Sequence, residues 1–168
     1  IARLVGSEMC IRDRLWAKDL GLKTYLTNAR THPNTYERDI AMAQKIRDEK
    51  IKIVVLSGYM KLIGPETIEA CHGQILNVHP ALLPKHGGPG MYGRHVHQSV
   101  KDSGDIKTGI TIHLVNKEYD KGAILSQKEI AIESSDTLDE IEKKVKDAEP
   151  EFYLKTLQKI ISGDISLL

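Results

Sequence analysis

The sequence predicts an α/β domain with a mostly parallel sheet and helices on both faces. Helix-like and strand-like stretches alternate along most of the chain, the pattern left by strand-helix-strand units. The stretch Ile51–Leu56 (IKIVVL) is rich in β-branched residues, as in a strand covered on both sides. A segment dense in histidine, proline and glycine, Ile75–His97, opens on the apolar residues Ile75, Leu76 and Val78. Ligand-binding loops occupy that position at the carboxyl ends of strands in such sheets.

The bulk properties set outer limits. With 168 residues, 40% of them hydrophobic, the chain can bury one core, and it has no apolar run of membrane-spanning length. A net charge of +1, from 24 basic and 23 acidic residues, argues against general affinity for nucleic acid or acidic membrane. Partners are therefore expected to be chosen by a site, not by bulk charge. Cys10 and Cys71 form no disulfide framework, which fits a reducing, cytoplasmic setting.

In order along the chain, Ile1–Arg14 shows neither helical nor strand periodicity and no signal-peptide layout. It reads as a tail outside the fold, either linker-derived or disordered. Setting it aside removes Arg3, Arg12, Arg14, Glu8 and Asp13, which leaves the remainder formally neutral, and leaves Cys71 as a lone thiol. Leu15–Gly21 then opens the domain as a helix end stopped by Gly21. Lys23–Leu26 is expected to be a short strand. Tyr36–Lys50 carries Tyr36, Ile40, Ala43 and Ile46 at helical spacing, and Ile51–Leu56 is the next strand. Gly64-Pro65 starts a helix through about Cys71. A strand ends at Val78, a short helix is expected at Arg94–Ser103, and strands at Thr108–Val115 and Ala123–Ile132. The closing helix, Asp136–Ser162, places Leu138, Ile141, Val145, Ala148 and Phe152 on one face. Pro150 inside it is expected to kink or break it.

Chemistry concentrates around Asn77 and His79. Their alternation about Val78 puts both side chains on one face of a strand. An isolated Asn-x-His is more often a turn cap beside a structural histidine. Here Pro80 and Pro84 stiffen the backbone after His79, and a general acid or oxyanion donor gains from being held in place. The remaining histidines, His86, His95 and His97, raise the possibility of a metal. His95-x-His97 lacks both the four-residue helical spacing and the neighbouring carboxylate of zinc sites, so no metal is expected. Gly87, Gly88, Gly90 and Gly93 match neither phosphate-binding glycine motif and read as a lid or substrate-facing loop. Thr111 and His113 share a strand face, and Asp120 follows in a loop closed by Gly122. Asp120 is either a turn residue or, if the fold carries it to His79, a carboxylate that raises the histidine pKa and makes it a proton donor near neutrality.

The run Asn77-Val78-His79-Pro80-Ala81-Leu82-Leu83-Pro84, with Thr111-x-His113 and Asp120-x-Gly122, resembles the folate-dependent formyltransferase family. Within it, VVLSGYMKLI and GGPGMYGRHVH are most similar to the purine-synthesis branch, and the likeness runs from about Leu15 to Gly163. The resemblance implies a Rossmann-like fold and formyl transfer from 10-formyltetrahydrofolate to the amine of glycinamide ribonucleotide, in the synthesis of purine (IMP). It implies that Asn77 binds the formyl oxygen, that His79 is the proton donor, and that Asp120 raises its pKa and organises a proton-relaying water. It further implies a folate pocket lined by Met60, Lys61, Leu62 and Ile63, a ribonucleotide contact at Glu149, and a cis Leu83-Pro84 bond. Pro150 next to Glu149 could misplace that carboxylate.

The family opens with a strand, a glycine-rich phosphate loop, a helix and a second strand, none of which is legible before Leu15. Residues 15–168 are thus expected to be a formyltransferase domain lacking its first βαβ portion. Other readings are a hydrolase that passes the formyl group to water, a formyltransferase acting on methionyl-tRNA, and a non-catalytic fragment that at most binds folate. The tRNA enzymes normally carry a further C-terminal domain.

Overall fold

The structure is a computed structural model and describes residues 2–5 and 11–167. The chain divides into two compact units, Ile1–Ile75 and Leu76–Leu168.

In the first unit, strand β1 (Ala2–Val5) runs parallel to β2 (Val54–Ser57), with Ala2 opposite Val54 and Val5 opposite Ser57. Helix α1 (Ile11–Asp19) is followed by α2 (Thr35–Asp48) and α3 (Pro65–Ala70). Two expectations change here. Ile1–Arg14, set outside the fold, supplies β1 and the start of α1; β1 is held by its backbone ladder, and four residues are too few for a period of two to be legible. Lys23–Leu26 is not a strand. Its exposed Lys23 and Tyr25 instead reach Glu49, Lys23 Nζ at 2.6 Å, so local side-chain pairing replaces a ladder. Gly21 does follow the end of α1, at φ +71°.

Helices α2 and α3 are joined by a buried carboxylate. Asn34 caps α2, accepting from the Tyr36 amide. Asp39, on α2 and 4% exposed, accepts from the amides of Glu66 and Thr67 at 2.9 Å each and from Thr67 Oγ1 at 2.6 Å. It thereby satisfies donors that the first turn of α3 leaves without intrahelical partners. Gly64 makes room for it: a Cβ there would lie 2.2 Å from the Asp39 carboxyl group. Cys71 is buried, and burial pushes its thiol up to about 11, so it is an inert apolar filler.

The second unit contains β3 (Ile75–His79) from Leu76 on, α4 (Arg94–Asp102), β4 (Lys107–Leu114), β5 (Ile124–Ala131) and α5 (Leu138–Ser162). Strand β4 pairs antiparallel with both β3 and β5. The α/β class holds, and strand pairing in the chain is mixed. The loop from Val115 to Ala123 is too short for the crossover that a parallel β4/β5 pair would need. A small apolar core of Ala81, Val96, Val100, Ile132 and Ile141 packs against Met91.

Helix α5 starts with a capping box: Thr137 Oγ1 accepts from the Glu140 amide while Glu140 accepts from the Thr137 amide. It ends at Gly163, at φ +86°. Pro150 does not break it. Ile141, Val145, Thr156 and Ile160 are buried on both sides of the proline, and this packing holds the helix across the missing backbone donor. The Leu83-Pro84 bond is cis.

Candidate active site

The β3/β4 ladder sets the site. Asn77 lies opposite His113, and His79 opposite Thr111. Directly opposed residues share a sheet face, so all four side chains emerge together. Between β4 and β5 the register slips at Ile112/His113, a bulge of the kind that re-aims a side chain at a site.

Thr111 braces the turn after β3. Fully buried, its hydroxyl donates to Ala81 O at 2.6 Å and accepts from the Leu83 amide at 3.0 Å. Gln127 Nε2 on β5 donates to Thr111 Oγ1 and to Leu83 O, both at 2.9 Å. The loop after His79 is therefore tied to two strands.

Hydrogen-bond partners define the tautomers. His113 donates Nδ1–H to Leu114 O at 2.8 Å, so its Nε2 lone pair accepts from Asn77 Nδ2 at 3.1 Å. That contact settles which end of the Asn77 amide is NH2 and leaves its second N–H for a ligand. His79 donates Nε2–H to His86 O at 2.8 Å, which turns Nδ1 toward Asp120 Oδ2 at 3.6 Å. Asp120 also sets its Oδ1 3.6 Å from His113 Nε2, and its Oδ2 accepts from the Gly88 amide at 2.9 Å.

Asp120 itself sits at φ +55° in a turn that glycine makes possible. A Cβ on Gly122 would lie 1.6 Å from Leu114 O, so only glycine lets this loop press against the end of β4. Gly88, at φ +103°, aims its amide at the carboxylate. The glycine-rich loop, expected to be a lid or substrate-facing, thus also helps hold Asp120.

The pKa directions correct one expectation. Burial is the largest influence on His79 and holds it below the ordinary imidazole value; the charge of Asp120 and the His86 carbonyl oppose this without overcoming it. Asp120 acts in the expected sense, but a side chain 3% exposed loses more from desolvation than one carboxylate at 3.6 Å returns. Burial also lowers His113 and His97.

The other sequence-picked residues fall in different places. Met60 and Leu62 are exposed and Ile63 is buried, all in the first unit. Glu149 lies on α5, half buried, and burial raises its carboxyl pKa. His95, in the first turn of α4, meets the Tyr92 ring edge-on with centroids 5.5 Å apart. The side chains of His86 and His97 are internal. The His86 side chain is 6% exposed, and His97 is 3% exposed on the inner face of α4. His113, which sequence reasoning left out of the site, belongs in it; the signal was its position in Thr111-x-His113, uninterpretable without the register against Asn77.

A buried imidazole with one nitrogen committed to a carbonyl and the other facing a carboxylate can move a proton. An adjacent preoriented amide can stabilise an oxyanion. The sequence model of the family described as formyl transferase matches residues 4–157. The chain belongs to the formyl transferase family. Among formyl transferases it is 44% identical over 115 residues to the chloroplastic phosphoribosylglycinamide formyltransferase of Arabidopsis thaliana, covering 68% of this chain and 39% of that protein. It is 34% identical over 134 residues to the phosphoribosylglycinamide formyltransferase of Haemophilus influenzae, covering 80% of this chain and 61% of that one. The chain thus spans less than two thirds of the length of these relatives. The crystal structure of phosphoribosylglycinamide formyltransferase from Bacillus halodurans superposes with a TM-score of 0.83 at 31% identity, covering 96% of this chain and 81% of that one. Among the described residues, no helix of this chain is long and apolar enough to cross a membrane.

Proposed function

We propose that this chain transfers a formyl group from 10-formyltetrahydrofolate to the amine of glycinamide ribonucleotide, a step in purine (IMP) synthesis in the cytoplasm. The observation that carries this reading is the convergence of Asn77, His79 and Asp120 with His113 on one face of β3/β4. The names of its relatives supply the acceptor, and the resemblance of its motifs to folate-dependent formyltransferases supplies the donor.

In the proposed reaction the amine nitrogen attacks the formyl carbon, and the carbonyl oxygen becomes an oxyanion. The free N–H of Asn77 Nδ2 binds that oxyanion, and His113 holds the amide in place. His79 begins neutral, so Nδ1 takes the proton that the attacking amine loses, directly or through a water held by Asp120. The resulting imidazolium is stabilised by Asp120 and returns the proton to the folate nitrogen as the carbon–nitrogen bond breaks. His79 is therefore the proton donor of the second half-step. Met60, Lys61, Leu62 and Ile63 line the folate pocket, and Glu149 contacts the ribonucleotide. His79 takes up and returns the one proton that moves, and the proposal includes no metal.

The test is to incubate the purified protein with 10-formyltetrahydrofolate, with and without glycinamide ribonucleotide, and follow formylated product and formate. Transfer is expected, and His79→Ala should reduce turnover by about 100-fold or more, the scale of a positioned acid-base group. Formate release without transfer, or undiminished turnover in the variant, overturns the reading.

A further inference from the structure

Resting on that role for His79, we propose that His86 is its positioning residue, clamped by Asp105 and Ser99. His86 occupies left-handed backbone, φ +58°, although it is not glycine, and such a conformation persists only when its surroundings enforce it. Both ring nitrogens are engaged. Nε2–H donates to Asp105 Oδ2 at 2.8 Å, and Nδ1 accepts from Ser99 Oγ at 2.8 Å. Asp105 is also paired with Lys85, and that pairing, followed by the His86 hydrogen bond, holds its carboxyl below the usual carboxylate range.

The clamp has one output toward the reacting histidine. The carbonyl of His86 accepts Nε2–H of His79. This contact reserves Nδ1 for proton transfer. The flanking sequence has little stiffness of its own, because Gly87, Gly88 and Gly90 follow His86 within four residues. A free His86 side chain would let the peptide rotate, the carbonyl would leave His79, and the imidazole could exchange tautomers. The titratable groups facing His79 are Asp120, His113 and His86, with His97 acting through charge. Those facing His86 are Asp105, Lys85 through that carboxylate, and His79. None of the others can replace the acceptor at Nε2, since Asp120 lies at Nδ1.

The experiment compares the full chain with Asp105→Ala, Asp105→Asn and His86→Gly. Nitrogen-15 NMR reports the His79 tautomer, steady-state kinetics follow formyl transfer, and thermal unfolding checks the fold. The wild type should show a single His79 tautomer protonated at Nε2. Asp105→Ala and His86→Gly should show mixed tautomers and lose kcat on the order of 10- to 100-fold, the scale of a misplaced reacting group, with KM nearly unchanged. Asp105→Asn keeps an acceptor for His86 and should retain most of kcat. A single Nε2–H tautomer in both Asp105→Ala and His86→Gly overturns the proposal, as does a loss that appears in KM instead of kcat. The tautomer is read without substrate. If the wild type transfers no formyl group yet the tautomer becomes mixed in the variants, the activity assignment fails and the positioning role stands.

Discussion

Replacing Asp120 by Asn tests the electrostatics of the site directly. The carboxylate lies 3.6 Å from His79 Nδ1 with its side chain 11% exposed. Coulomb's law at that separation gives about 1 kcal/mol of support for the imidazolium at the dielectric of water, and about 5 kcal/mol at an effective value of 20. The titration midpoint of His79 should therefore fall when the charge is removed. The sign is fixed, because losing an anion disfavours the cation, and burial already acts in the same direction. The asparagine oxygen can still accept from the Gly88 amide, so the loop remains tied. Imidazole NMR across a pH series of the ligand-free protein reads the midpoint, and turnover should fall with it. An unmoved or raised midpoint would refute the argument that Asp120 is the charge supporting protonated His79.

Two further outcomes concern stability. Thr111→Val leaves Ala81 O and the Leu83 amide without partners in a buried setting, and should cost about 2–4 kcal/mol by denaturant unfolding; Thr111→Ser should recover most of it, and equal losses in both would show that the hydroxyl is not the brace. His79, His97 and His113 all have folded pKa values below the ordinary 6.5, so the unfolded chain binds more protons below about that pH, and stability is full above it and lost on acidification. Glu149, with a raised pKa, works in the opposite sense, so the comparison belongs in Glu149→Gln: its melting temperature should drop between pH 7.5 and 5.5, less steeply once His97 is also changed to Gln, and a flat profile would contradict the assigned directions.

The sequence disclosed what is local. Asn77 and His79 are two residues apart on a strand, and the prolines and glycines around them announce a shaped loop. Asp120-x-Gly122 marks the turn that brings in the carboxylate. Tertiary geometry hid the rest. His113 becomes the partner of Asn77 only through the β3/β4 register, and the carboxylate that anchors His86 is supplied by Asp105, distant in sequence. Asp120 raises the His79 pKa as the sequence implied, but the net direction is set by burial, since a charge can be counted from sequence and desolvation cannot. In the first unit, β1 is too short to show periodicity, and Lys23–Leu26 has strand-like composition but is held by side-chain bonds to Glu49.

Cross-strand opposition of Asn77 with His113 and of His79 with Thr111 makes the geometry of this site a matter of whole steps. A slip of β4 by one residue would turn Thr111 and His113 away from the face that carries Asn77 and His79 and bring up Ile112 with Ile110 or Leu114 in their place. There is no half-way setting. Assembly errors should therefore remove molecules from the active population instead of producing distorted ones, and a preparation of low specific activity should contain fewer working copies, each turning over at the full rate.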